Sequence, residues 1–195
     1  VVFYMKKGFK IYLFRHGQTT YNRDKIFTGF KDAKLTSKGV GQAKVIAKKM
    51  KSKKFDVAIQ TRLSRSKDTL KYVLKGHKEC KLVIVDDRVI ERSYGNLSGK
   101  SHESVIKQYG QVQFDKWHRG YKHRPPKGES FADVEKRVRV FIKSLKKMIK
   151  KDEVNVAISA HGNSIRLFRK VWEGLSVKET EKLNVPYDKV FVYSV

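Results

Sequence analysis

Apolar positions recur along the chain in two patterns, as short continuous runs and as stretches spaced three and four apart, which read as buried strands and one-sided helices. The run "KIYLF" (10–14) predicts a strand, and "SKGVGQAKVIAKKMKS" (37–52) a helix with Val40, Ala43, Ile46, Ala47 and Met50 on one face. "FDVAIQT" (55–61) predicts a second strand, "SRSKDTLKYVLKG" (64–76) a helix ending at Gly76, and "KLVIV" (81–85) a third strand. After Gly128 comes the longest helix, "ESFADVEKRVRVFIKSLKKMIKK" (129–151), striped by Phe131, Val134, Val138, Phe141, Ile142, Leu145 and Ile149. "VNVAISA" (154–160), "GNSIRLFRKVWEG" (162–174) and "VFVYSV" (190–195) read as strand, helix and closing strand.

Strands alternating with helices predict an α/β three-layer sandwich with a mostly parallel central sheet flanked by helices. One domain is expected over 1–195, with an insert at about 87–128 covering the site. That insert is rich in charge, glycine and aromatics and carries a short helix near "SHESVIKQYG" and another around Trp117. Ligands of such sheets bind outside the carboxyl ends of the strands. Four segments therefore converge: "RHGQTTYN", "QTRLSRS", "DDRVIERSYGNLSG" and "AHGNS".

Composition narrows the picture. At 195 residues and 39% hydrophobic the chain suits one sizeable core. The single cysteine, Cys80, excludes an intrachain disulfide, no apolar run is long enough to span a membrane, and a cytoplasmic protein is expected. "VVFYMKKGF" does not read as a secretory signal, and translation is expected to begin at Met5. The net charge of +26 comes mostly from lysines scattered over every segment, without a nucleic-acid-binding motif. It is read as a solvated surface that steers an anionic metabolite, not as a specific nucleic-acid site.

Two His-Gly pairs follow predicted strands, at Arg15-His16-Gly17 and Ala160-His161-Gly162-Asn163. The glycines allow close backbone approach and could present amide donors to an anion. A metal is the rival reading, but neither pair has a zinc-ligand spacing, and Arg15 and Arg65, at the ends of adjacent predicted elements, suit phosphate oxygens and repel a cation. The pocket therefore reads as a phosphate site with a histidine nucleophile, Arg15, Arg65, Asn22 and His161 stabilising charge and Glu91 supplying the proton. Gln18 is expected only to pack in its loop, and Trp117 to anchor the insert. Arg62 and Arg166 are read equally as scaffold partners of carboxylates and as phosphate ligands.

On "RHG" with the distal "HGNS", the chain resembles the histidine phosphatase superfamily. "FTGFKDAKLTSKG", "ERSYGNLSG" and "WHRGYKHRPPKGES" are similar to segments of its cofactor-dependent phosphoglycerate mutases. The resemblance implies His16 as the phosphorylated nucleophile, Glu91 as the general acid/base and Arg15, Arg65, Asn22 and His161 as the phosphoryl clamp. It implies Thr28, Gly29, Tyr94, Arg119 and Asn163 on the substrate side, 2,3-bisphosphoglycerate as phosphoryl primer, and no metal. Three departures stand out. His118 replaces one of two adjacent arginines. His102 takes the spacing of a mutase lysine, with Lys100 near enough to substitute. Ending at the closing strand, the chain is expected to lack the C-terminal tail of many mutases. Each favours the alternative, a histidine phosphatase acting on a small phosphomonoester. The retained "FTG", Tyr94 and Arg119 favour the mutase, which would interconvert 3-phosphoglycerate and 2-phosphoglycerate through a phosphohistidine and is the function expected; a degenerate site on a binding protein is the third possibility. A small phosphorylated metabolite is the expected partner, and a homodimer the expected assembly if the chain associates.

Overall fold

The computed structural model describes residues 8–195. The expected start at Met5 lies outside the described residues. Strands β1 (Lys10–Arg15), β2 (Val57–Gln60), β3 (Leu82–Val85), β4 (Val156–Ala160) and β5 (Val190–Ser194) form one sheet in the order β3-β2-β4-β1-β5. Four strands run parallel, and β5 pairs antiparallel with β1 at one edge. The mostly parallel sandwich read from the sequence is the observed one.

Alternation along β1 sets the layers. Ile11 and Leu13 face a cluster with α6 (Phe131–Asp152) and α7 (Gly162–Glu173). Tyr12 and Phe14 point the other way, to Ile46 and Met50 of α2 (Ser37–Met50) and to Leu70 and Val73 of α3 (Ser64–Leu74). The helices following the adjacent strands β1 and β4 therefore lie on opposite faces. A crevice opens beyond the carboxyl ends of these strands, the switch point at which such sheets bind ligands.

All seven apolar positions expected on α6 are buried, each contributing roughly 2 kcal/mol relative to exposure. A capping box between Ser130 and Asp133 starts this helix at Phe131. On α2 the buried positions are Gly39, Ala43, Ile46 and Met50, while Val40 and Ala47 are half-buried. The face is turned because the loop after β1 lies directly on Gly39, where a Cβ would come 2.0 Å from the Gln18 carbonyl oxygen.

Two short helices, α1 (Thr20–Arg23) and α8 (Val177–Lys182), were not expected. Neither is long enough to show a period, and both are closed by capping boxes, Thr19 with Asn22 and Ser176 with Glu179. The insert folds as α4 (His102–Tyr109), α5 (Gln111–Arg119) and two single 3-10 turns. It has its own core of Tyr94, Leu97, Val105 and Phe114 around Phe27, which fastens it beside the crevice. Among the described residues no helix is long and apolar enough to cross a membrane.

Candidate active site

Parallel register places Arg15 of β1 opposite Ala160 of β4. The next residue of each strand is a histidine, and the rings of His16 and His161 lie 5.0 Å apart, both buried. His16 Nδ1 is 2.7 Å from the Gly17 carbonyl oxygen. A carbonyl only accepts, so the neutral ring carries its proton on Nδ1 and keeps a lone pair on Nε2. Burial, followed by the charges of Arg65 and Arg15, holds His16 well below the usual imidazole pKa. It is uncharged at neutral pH, as a nucleophile must be.

His161 is likewise held well below its usual value, by burial and then by Arg65 and His16. Its Nε2 lies 2.8 Å from the Thr61 hydroxyl, and its Nδ1 is buried without a partner. Glu91 accepts hydrogen bonds on Oε1 from the backbone amides of Arg92 (2.8 Å) and Asn163 (3.1 Å). The second bond ties it to the first turn of α7. Ligand atoms of His16, Glu91 and His161 all lie within 4.8 Å of one another. Two imidazoles and a carboxylate form a set that zinc can use, but the arginine charges that oppose a proton on either ring oppose a divalent cation more strongly.

Arg65, fully buried, donates to the carbonyls of Gly29 (2.9 Å) and Lys31 (3.0 Å), holding the Thr28–Gly29 loop while its other N–H groups remain uncommitted. The order of the strands changes one expectation: β4 lies between β1 and β2, so Arg15 at the end of β1 and Arg65 in the first turn of α3, which follows β2, flank His161 from either side. One of the two glycine amides also differs from expectation. Gly17 N donates to Thr69, so it offers no free donor to an anion.

A family model described as the histidine phosphatase superfamily (branch 1) matches residues 11–195. The chain belongs to the histidine phosphatase superfamily. A 2,3-bisphosphoglycerate-dependent phosphoglycerate mutase from Bartonella tribocorum is 36% identical over 176 residues, which cover 88% of this chain and 85% of that one. A phosphoglycerate mutase from Schizosaccharomyces pombe is 36% identical over 185 residues, covering 93% and 87%. Among solved structures, the alpha-ribazole phosphatase from Shigella flexneri has a TM-score of 0.80 at 22% identity, covering 94% of this chain and 89% of that one. This last likeness is one of fold.

The cavity of this superfamily member holds about 210 Å³ and is lined by Arg15, Asn22, Thr28, Gly29, Glu91, Tyr94, His102, His118, Arg119 and Asn163, all expected from the sequence. His16, Arg65 and His161 are buried beside it. Asn22 spends its carbonyl oxygen on Thr19 in the capping box of α1. The Asn163 side-chain amide donates to the Tyr94 hydroxyl at 3.1 Å. His102 and His118 pack against each other and around Phe27. Burial, then Arg119, pushes His118 down to about 3, so it supplies no positive charge at neutral pH. His102 is also lowered, by burial and then by Lys25.

Lys100 does not line the cavity; the ammonium on that side belongs to Lys25. Arg166 lines it too and binds no carboxylate, donating instead to Leu183 O at 3.1 and 3.0 Å and to Asn163 Oδ1. Burial, then Arg119, lowers it to about 9. Arg62 pairs with Asp87 as scaffold. Gln18 accepts a hydrogen bond from Thr36, the N-cap of α2, and Trp117 packs against Tyr109 and the core of the insert. Sequence reasoning missed Thr61, Tyr21, Lys25, Asn184, Val185 and Tyr187. Thr61 carried a readable signal, being the residue after β2; Tyr21 comes in on the short helix α1, and the others on loops whose paths no local pattern encodes.

Proposed function

We propose that the chain is a 2,3-bisphosphoglycerate-dependent phosphoglycerate mutase interconverting 3-phosphoglycerate and 2-phosphoglycerate. The observation that carries this reading is the charge of the cavity, where Arg15, Lys25, Arg119 and Arg166 stand against one carboxylate, Glu91. A phosphomonoester carries about two negative charges, and the surplus of cations suits a second anionic group on the same small molecule. The volume of about 210 Å³ lies below the roughly 300–1,000 Å³ of pockets for drug-sized ligands, in keeping with a small metabolite. Relatives named as mutases support the same reading. A place in glycolysis and gluconeogenesis, in the cytoplasm, follows from it.

In this mechanism His16 Nε2 attacks phosphorus and holds the phosphoryl group. Arg15 and Arg65 balance the charge on its equatorial oxygens. Arg15 Nε and His161 Nδ1 are buried without partners, and a phosphoryl oxygen would satisfy both. Glu91 exchanges a proton with the substrate hydroxyl as His16 gives up or receives the phosphoryl group. The bisphosphate supplies the first phosphoryl group when it binds. Tyr94, Asn163, Arg119 and Lys25 orient the remainder of the substrate.

One observation favours a phosphatase as the second reading: His118 is uncharged and Arg166 is engaged by protein acceptors, which weakens the grip on a second anionic group. An enolase-coupled assay on 3-phosphoglycerate, with and without 2,3-bisphosphoglycerate, run beside inorganic phosphate release, decides between them. Isomer formation that depends on the bisphosphate is expected. Phosphate release without isomer formation would replace the mutase by the phosphatase.

A further inference from the structure

Arg15 is held by a segment from the far end of the chain. Its Nη1 donates to Val185 O at 2.9 Å, and its Cζ lies 3.9 Å from the centre of the Tyr187 ring. Gly162 packs over the same guanidinium, since a Cβ there would sit 3.3 Å from Cζ and 3.4 Å from both Nε and Nη2. Being nearest to the central carbon, that approach is to a face of the group and not to its edge. Arg15 Nε is buried with no partner, and Arg15 and Tyr187 line the same cavity.

We propose that Tyr187 is a positioning residue for phosphoryl binding, its ring fixing the plane of Arg15 so that the Nε–Nη2 edge is presented to the phosphate. With Nη1 tied to Val185 and the faces packed by protein, this edge is the one left to bind. Two parallel N–H groups match two oxygens of a phosphate, and that match depends on the orientation of the plane. An arginine stacked on an aromatic ring is held at little entropic cost, which a flexible side chain in open solvent could not achieve. The role rests on the phosphoryl site and is independent of the choice between mutase and phosphatase.

The test compares Tyr187→Phe, which keeps the ring, with Tyr187→Leu, which keeps bulk but removes the stack. Inorganic phosphate affinity is measured by calorimetry on the full chain, and kcat and KM with p-nitrophenyl phosphate. Tyr187→Leu is expected to weaken phosphate binding roughly tenfold and to raise KM by a similar factor, with Tyr187→Phe recovering most of the loss. Urea midpoints identify a variant that fails only by unfolding, and the Phe–Leu comparison is made between variants of equal midpoint. Phosphate affinity unchanged in Tyr187→Leu, or as weak in Tyr187→Phe as in Tyr187→Leu, would overturn the proposal. A wild-type chain that did not bind phosphate would overturn it together with the phosphoryl-transfer reading, whereas loss of mutase turnover alone would leave it standing.

Discussion

Glu91 takes both of its backbone hydrogen bonds on Oε1, which leaves Oε2 as the oxygen able to exchange a proton inside the cavity. Glu91→Gln keeps the shape and removes that capacity, so kcat should fall about 100-fold with little change in KM; steady-state kinetics at matched substrate saturation measures the split. Thr61 acts one residue further out. If its hydroxyl donates to His161 Nε2, the ring proton sits on Nδ1, where a phosphoryl oxygen could accept it. Thr61→Val should then slow turnover roughly tenfold, the scale of one lost buried hydrogen bond, and Thr61→Ser should restore it. Equal rates for the valine and serine variants would show that the hydroxyl does not set the tautomer. His16 and His161 were legible in the sequence because each directly follows a predicted strand, and Glu91 because it is a carboxylate in the segment that leads away from the third strand. Thr61 also follows one, but a threonine there carries no chemistry until His161 is brought beside it.

The contact between the loop after β1 and the first turn of α2 is unusually close. A Cβ on Gly17 would come 2.2 Å from Gly39 O, and one on Gly39 would come 2.0 Å from Gln18 O. Both obstacles are backbone, so no rotamer change relieves them. Gly39→Ala should cost about 1–3 kcal/mol in urea unfolding and lower activity by displacing the loop that begins at His16; a wild-type midpoint would show that α2 shifts freely. Such a contact also explains why Gly39 joins Ala43, Ile46 and Met50 at the centre of the buried face of α2, leaving Val40 and Ala47, expected on the same face, half-buried at its edge. Periodicity marks Val40 as apolar, but the backbone-to-backbone approach at Gly39 decides which side turns inward. The stripe of α6 had no such competitor, and its seven positions lie where the pattern puts them.

The charge of +26 is a property of the whole molecule, and under the proposed function its field would act at long range on the anionic substrate. Raising ionic strength from about 20 to 200 mM should lower kcat/KM several-fold while leaving kcat nearly unchanged, because screening shortens the reach of the field. A kcat/KM insensitive to salt would mean that scattered lysines do not steer. Acid stability is also a global reading of buried groups. His16 and His161 are held neutral in the fold and return to about 6.5 when unfolded, so the unfolded chain binds more protons below that pH. Stability is therefore full above about pH 6.5 and falls as the pH drops, by up to about 1.4 kcal/mol per pH unit for each ring. Urea midpoints at pH 7.5 and 5.5 check the sign; a higher midpoint at the lower pH would contradict the buried neutral state.

By itself the sequence determined the alternation of strands and helices, the two histidines at strand ends and the arginines that gather beside them. These depend on local period and side-chain chemistry, which are written along the chain. Tertiary structure alone decided that β4 inserts between β1 and β2, that Lys25 and not Lys100 reaches the cavity, that His118 loses its charge, and that Tyr187 lies on Arg15. Sheet order, desolvation and the path of a loop arise from contacts between residues far apart in the chain, and no local pattern contains them.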